Sequence, residues 1–212
     1  MKKWKYTASN PPMPSQSTGI KPYLKKCWHF IWEEDSIWSW LANIVIAFVL
    51  IKFIVYPGLG LLLSTTHPIV AVVSGSMEHP AEFDMWWEQQ QDFYESYAIS
   101  KEMFQGYRFS EGFNKGDIMV LRGVQPKNIK RGEVIVFNGG RSDPIIHRVI
   151  KIWQEDGVYY FQTKGDNNAR SLPGVETRIR QDEMIGRAVL RIPLLGYIKI
   201  WFVELVQLFG FR

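Results

Sequence analysis

An apolar stretch early in the chain constrains the fold more than any other feature. Residues 37–56 number 20 and carry a single charge, Lys52, and two tryptophans, Trp38 and Trp40, lie at the start. A helix of about 20 apolar residues crosses the hydrocarbon core of a bilayer, and tryptophan favours the interface. A cleavable signal peptide would lie nearer the N-terminus and end in small residues. A buried core helix is the other alternative, because Lys52 is costly in lipid. We predict a transmembrane helix over residues 37–63.

The charges before this stretch predict its orientation. Residues 1–36 form a polar, proline-containing tail in which six lysines outnumber three acidic residues: Lys2, Lys3, Lys5, Lys21, Lys25 and Lys26 against Glu33, Glu34 and Asp35. Segments rich in lysine next to a span remain in the cytoplasm. We therefore expect a single-pass membrane protein with a cytoplasmic tail and an extracytoplasmic or lumenal domain that begins at residue 64.

The rest of the chain has the pattern of a β protein. Short β-branched runs alternate with glycine and proline, which is typical of strands and turns; the runs are 68–73, 117–121, 133–137, 145–153, 158–163 and 185–192. We predict a mainly β domain, a small β-barrel or sandwich, over residues 64–191. An aromatic-rich segment at 81–114 lacks strand alternation and is predicted as a helical insert. The apolar C-terminus, 192–212, is predicted as an interfacial or domain-packed helix.

Composition excludes several classes of function. The net charge of +4 is spread without a basic block, so no nucleic-acid partner is expected. The single cysteine, Cys27, excludes an intrachain disulfide and a cysteine-based zinc site. The four histidines, His29, His67, His79 and His147, lack the i, i+4 spacing of a helical metal site. We therefore expect no metal and no organic cofactor.

One group of residues includes the side chains that a nucleophilic site requires. Ser76 follows Gly75 at the end of a predicted strand, where a glycine turn can expose its hydroxyl, although an ordinary strand-to-turn segment has the same pattern. A serine nucleophile needs a base and donors for the oxyanion, which the Ser76 N–H and the Ser74 hydroxyl could supply. His147 is the best placed base. The acid that orients it is predicted as Asp166, with Glu176 and Asp182 as alternatives.

Taken together and in this order, five short motifs resemble those of signal peptidase I. They are Ser74-Gly75-Ser76-Met77, Gly116-Asp117-Ile118, Arg131-Gly132-Glu133 with its following apolar run to Phe137, His147-Arg148-Val149 and Lys164-Gly165-Asp166-Asn167-Asn168. The segment Ile185-Gly186-Arg187-Ala188 also resembles the closing strand of that family. The chain is most similar to the archaeal and endoplasmic-reticulum branch, because His147 stands where the bacterial branch has lysine. The resemblance extends from Ile37 to Tyr197.

The resemblance implies a fold, an activity and partners. The fold would be that shared by LexA and signal peptidases, and the activity that of a membrane-bound serine endopeptidase that removes signal peptides after small residues. Ser76 would be the nucleophile, its N–H and Ser74 the oxyanion donors, His147 the base and Asp166 the acid. The expected partners are signal peptides and the lipid bilayer, with further subunits of a signal peptidase complex or the translocon left open.

Two departures from the family keep other functions open. Many relatives have a second aspartate six residues after the Gly-Asp-Asn motif, where this chain has Leu172, and the later Glu176 is a candidate to replace it. The lost aspartate suggests an inactive membrane-anchored domain that binds exported segments. The third alternative is a serine peptidase of the same fold that acts on pilin-like precursors or on its own chain.

Overall fold

The computed structural model describes residues 20–140, 143–197 and 201. The chain separates into two compact units, with the boundary after Ile54. Each unit has its own arrangement of helices or strands.

The first unit contains a helix that the sequence did not predict. Helix α1, Lys21–Trp32, lies within the predicted polar tail and has Pro22 in its first turn, where a missing N–H costs nothing. Helix α2 begins at Ile37 and ends at Leu50. Two polar side chains of α2 bond to carbonyls at the end of α1: Ser39 Oγ donates to Phe30 O (2.6 Å) and Asn43 Nδ2 to Ile31 O (3.0 Å). These bonds satisfy carbonyls that a helix end leaves free. The rest of the tail, residues 1–19, lies outside the described residues.

Helix α2 continues into a segment long enough to cross a membrane. A π-helical turn, Ile51–Val55, follows α2, and helix α3 covers Tyr56–Leu63. Pro57 lacks an N–H and its ring crowds the carbonyl four residues earlier, and the wider π turn lies where that crowding falls. The helical segment Ile37–Leu63 has 27 residues, a mean hydropathy of 2.3 and no buried part in its most apolar window. It is the one candidate span among the described residues, as the sequence predicted.

The second unit is built on one antiparallel sheet, which confirms the mainly β class. Its seven strands are β1 (Ile69–Ala71), β2 (Ile118–Arg122), β3 (Val134–Phe137), β4 (Ile145–Glu155), β5 (Val158–Lys164), β6 (Ile179–Arg180) and β7 (Met184–Ile192). They lie in the order β1-β2-β7-β3-β4-β5-β6. Register shifts interrupt the β2–β7, β3–β7 and β4–β5 pairs. Such bulges increase the local twist of a sheet, so one sheet can enclose the core that the sequence assigned to a barrel or sandwich.

The central strand β3 separates two hydrophobic cores. All four of its residues are buried. Val134 and Val136 pack in one core with Met77 and Phe113, whereas Ile135 and Phe137 pack in the other. Successive side chains of a strand point to opposite faces, so the four-residue apolar run covers both cores.

The predicted insert contains two helices, α4 (Phe83–Ser96) and α5 (Lys101–Gln105). A third buried cluster joins these helices to Ile150 of β4: Trp86, Trp87, Tyr94, Ile99 and Phe104. At the other end of the chain, strand β7 extends to Ile192. Residue 192, where the predicted C-terminal helix was to begin, therefore belongs to a strand. Residues 198–200 and 202–212 of that segment lie outside the described residues.

Candidate active site

The candidate nucleophile lies in a tight turn just after the edge strand β1. Backbone bonds between Val72 and the 116–117 turn hold the chain to that point. The turn then closes with a bond from Glu78 N to Gly75 O (3.2 Å). A side chain on Gly75 would lie 2.9 Å from a carboxylate oxygen of Glu78. The Ser76 side chain is half-buried in this turn.

The candidate base and acid complete a hydrogen-bonded series with Ser76. His147 lies on β4, and its Nε2 is 2.8 Å from Ser76 Oγ. Its Nδ1 bonds to Glu176 Oε1. An ionised carboxylate only accepts hydrogen bonds, so Nδ1 carries the proton and Nε2 is free to accept the Ser76 hydroxyl. Ser74 Oγ, 3.1 Å away, then donates to Ser76 Oγ.

Glu176 is buried and held from several sides. Its Oε1 also accepts from Thr163 Oγ1 (3.1 Å), and its Oε2 accepts from Leu172 N (2.8 Å). Its own backbone bonds to Leu172 O and to Thr163 N. The two donors hold the carboxylate and the two backbone bonds hold the main chain, so together they fix the orientation of Glu176. The backbone of Leu172 thus lies directly beside the carboxylate that contacts the histidine.

The Asp166 carboxylate bonds to other side chains and not to the imidazole of His147. Its carboxylate accepts from Arg148 Nη2 (2.6 Å), from Arg148 Nε (2.9 Å) and from the Tyr94 hydroxyl (2.8 Å). His79 Nε2 lies 3.3 Å away. Arg148 follows His147 on β4, and neighbouring side chains of a strand point to opposite faces. The acid predicted from the sequence therefore bonds to the arginine on one face, and the alternative, Glu176, bonds to the histidine on the other.

The Asp166 network is a buried ion pair. Asp166, Arg148 and Tyr94 are all fully buried. Burial opposes the ionisation of Asp166, but the Arg148 charge and the hydrogen bonds hold its pKa well below the usual range. Burial would lower the pKa of Arg148, and the Asp166 carboxylate raises it instead. Burial and the Asp166 charge together raise the pKa of Tyr94 well above its ordinary value. Both charges of the pair are therefore retained at neutral pH.

The third acidic candidate, Asp182, lies on the surface in a 3-10 turn. It pairs with Arg180 (3.1 Å), and both side chains are more than half exposed. Among the described residues, no hydrogen bond or ion pair joins Asp182 to His147.

Two residues of the Gly-Asp-Asn motif contact the serine turn, which sequence reasoning did not foresee. Asn167 N donates to Ser76 O (2.8 Å), and Asn167 Nδ2 donates to Gly75 O (3.1 Å). A Cβ on Gly165 would lie 2.8 Å from both His147 Nε2 and Ser76 O. The only sequence signal was the motif itself, whose glycine and asparagine also suit an ordinary turn.

An open groove of about 600 Å³ leads to these side chains. Its walls are mainly apolar and include Val73, Ile145, Ile146 and Leu172. Strand β1 pairs with β2 alone, and Ile145–His147 pair with β3 alone, among the described residues. Two strand edges therefore border the groove with free backbone groups.

Replacement of Asp166 by asparagine is expected to destabilise the fold. The neutral amide would leave Arg148 as a buried charge without its counter-ion, which costs about 3–5 kcal/mol. The folded-state pKa of Asp166 is depressed, so its contribution is complete above the unfolded pKa of about 3.9 and is lost as the pH falls through the folded pKa. Thermal unfolding at pH 7 measures the first effect, and a series continued down to pH 2 measures the second, where the variant should lose part of the acid-dependent slope.

Asp182→Asn is the matched control, because the same chemical change is made at an exposed pair. It should alter the free energy of unfolding by less than about 0.5 kcal/mol. Equal stability of Asp166→Asn and the unmodified chain at pH 7 would contradict the structural role given to the buried pair.

Most of the chain is similar in sequence to known proteins. No family model matches. Signal peptidase complex catalytic subunit SEC11 of Yarrowia lipolytica is 32% identical over 159 residues, which are 72% of this chain and 73% of that protein. Subunit SEC11C of Homo sapiens is 32% identical over 152 residues, 69% of this chain and 62% of the human protein. SEC11 of Scheffersomyces stipitis is 28% identical over 158 residues, 72% of this chain and 75% of that protein.

Proposed function

Because the chain belongs to the signal peptidase I family, in its endoplasmic-reticulum type, we propose that it is a membrane-bound serine endopeptidase that cleaves signal peptides from exported preproteins. The observation that carries this proposal is the hydrogen-bonded series from Ser76 through His147 to Glu176 at the end of a groove. It has the nucleophile, base and orienting acid that acyl transfer by a serine requires.

The mechanism follows from the proton positions. Ser76 Oγ attacks the scissile carbonyl while His147 Nε2 takes its proton. Glu176 accepts from Nδ1 and stabilises the imidazolium that forms. The oxyanion binds to the Ser76 N–H and to the Ser74 hydroxyl, which turns from Ser76 Oγ toward the new charge. His147 then protonates the leaving amine, and water activated by the same histidine releases the signal peptide from the serine ester.

The two free strand edges support binding of the substrate as an extended strand. A peptide in the groove would pair with the backbone of β1 or of Ile145–His147, so that affinity depends little on its sequence. Alternate side chains of the bound peptide would pack against the apolar walls of the groove beside Val73 and Ile146. The family resemblance implies small residues just before the cleaved bond.

The helix Ile37–Leu63 supports attachment to a membrane. We place the N-terminal side in the cytoplasm, since lysines dominate it. The β domain that follows residue 63 then lies on the extracytoplasmic or lumenal side, where a signal peptide emerges from the bilayer. The relatives are named as catalytic subunits of a complex, so we propose that further subunits of a signal peptidase complex are partners.

The proposal predicts that the full-length protein in liposomes cleaves a preprotein at the end of its signal peptide. Mass spectrometry of both products locates the cleaved bond. A matched preprotein with an aromatic residue in place of the small residue before that bond should remain intact, as should a pilin-type precursor. A binding function would instead leave the first preprotein uncut but bound, and preference for the pilin precursor would favour the other kind of peptidase.

A further inference from the structure

The two helices of the insert form a compact aromatic body, here called the aromatic insert (residues 83–107). Its buried rings pack on Ile150 of β4, three residues after His147. None of its residues lines the groove. A role in binding substrate along the groove therefore does not account for it.

Polar side chains of the aromatic insert converge on one turn. Tyr94 donates its hydroxyl to Asp166 Oδ1 (2.8 Å), and Gln90 Oε1 accepts from Lys164 Nζ (2.9 Å). The ammonium of Lys164 also lies 4.7 Å from the centre of the Tyr94 ring. Burial lowers the pKa of Lys164 to about 8, while the nearby carboxylates of Asp166 and Glu176 favour its charged form. The Phe104 ring lies 4.5 Å from the guanidinium of Arg148.

The opposite side of the same turn contacts the reacting groups. Asn167 holds the carbonyls of Gly75 and Ser76. Asp166 N donates to the sulfur of Met77 (3.3 Å). Gly165 lies so close to His147 Nε2 and Ser76 O that a Cβ would contact both at 2.8 Å. The 164–168 turn therefore lies between the aromatic insert and Ser76.

We propose that the aromatic insert holds the 164–168 turn in place and so sets the position of Ser76 relative to His147, with Tyr94 as the positioning residue. This proposal rests on the proposed peptidase function. The Tyr94 hydroxyl is the direct donor from the insert to Asp166. Because misplacement of a reacting group by about 1 Å can cost about 100-fold in rate, a small shift of this turn is enough to slow the reaction.

Steady-state cleavage of a preprotein by the full-length protein in liposomes tests the proposal. Tyr94→Phe keeps the ring and removes the donor, and it should lower kcat about tenfold while KM is unchanged, since the insert does not border the groove. Ile99→Val is the matched control. It removes buried volume from the same cluster without touching the turn, and kcat per folded molecule should stay at the wild-type value.

A second pair of variants keeps the test decisive if Tyr94→Phe does not fold. Gln90 is only half-buried, so its replacement is tolerated more easily. Gln90→Met removes the acceptor for Lys164 and should lower kcat, whereas Gln90→Glu keeps an oxygen there and should retain it. A wild-type kcat in Tyr94→Phe and Gln90→Met, or an equal loss in Ile99→Val, would overturn the positioning role. Failure of the proposed function is a separate outcome, because the wild type itself would then not cleave.

Discussion

Replacement of Ser76 by alanine is expected to abolish preprotein cleavage, with a loss in kcat of about 10,000-fold or more. The methyl group has no electron pair with which to attack the scissile carbonyl, and no covalent ester can form. Folding should be little affected, because the change is small and the backbone bonds of the turn remain. Cleavage rates in liposomes, measured with the fraction of folded protein, provide the test.

Two other serine-to-alanine variants complete the comparison, and the second of them is the control. Ser74→Ala removes one oxyanion donor, and a loss of about 100- to 1,000-fold in kcat is expected. Ser96→Ala removes an exposed hydroxyl that bonds to Phe93 O in helix α4, and the rate should not change. A Ser76→Ala variant that cleaves at a rate near that of the unmodified protein would exclude the serine mechanism.

Replacement of Glu176 by alanine is expected to produce the second large effect, about 1,000- to 10,000-fold in kcat with KM unchanged. Without the carboxylate, His147 Nδ1 loses the hydrogen-bond partner that holds its proton there and that stabilises the imidazolium. The expected rescue is Leu172→Asp in the Glu176→Ala background. Leu172 N already bonds to the Glu176 carboxylate, so an aspartate at residue 172 starts beside the position that the carboxylate leaves.

The rescue distinguishes the role of Glu176 in the reaction from a role in folding alone. A stabilising substitution elsewhere would raise the folded fraction but leave kcat per folded molecule low. Leu172→Asp should raise kcat itself. Thermal unfolding of each variant supplies the correction, and an unrestored kcat in a fully folded double variant would count against a carboxylate requirement at this position.

Most of the strands could be predicted from the sequence, because they are apolar runs of four to eleven residues between turns. The predicted run 133–137 differs from β3, Val134–Phe137, by one residue. Strand β6, Ile179–Arg180, was missed because two residues have no periodicity. Helix α1 was missed because two of the bonds that hold its last turn come from Ser39 and Asn43 of helix α2. The local sequence of α1 does not show these contacts.

The candidate site could be predicted only in part, for a physical reason. Ser76 and His147 lie in short motifs with fixed local structure. The acid depends on how the chain from 166 to 176 folds back against β5, where Thr163 and Leu172 hold Glu176. Such tertiary contacts have no local pattern, so the sequence predicted Asp166 as the acid and left Glu176 and Asp182 as alternatives. The bond of Asp166 to Arg148 likewise depends on the faces of β4 and on the aromatic insert.

The most direct test of the central claim is kcat per folded molecule for Glu176→Gln beside Asp166→Asn, with one preprotein at pH 7. Both changes replace a buried carboxylate by an amide of the same shape. The arrangement of Ser76, His147 and Glu176 predicts that Glu176→Gln stays folded and loses about 1,000-fold or more in kcat. Asp166→Asn should lose stability, and the molecules that remain folded should retain much more activity than Glu176→Gln. The reverse order of the two kcat values would contradict the account and make Asp166 the acid of the reaction.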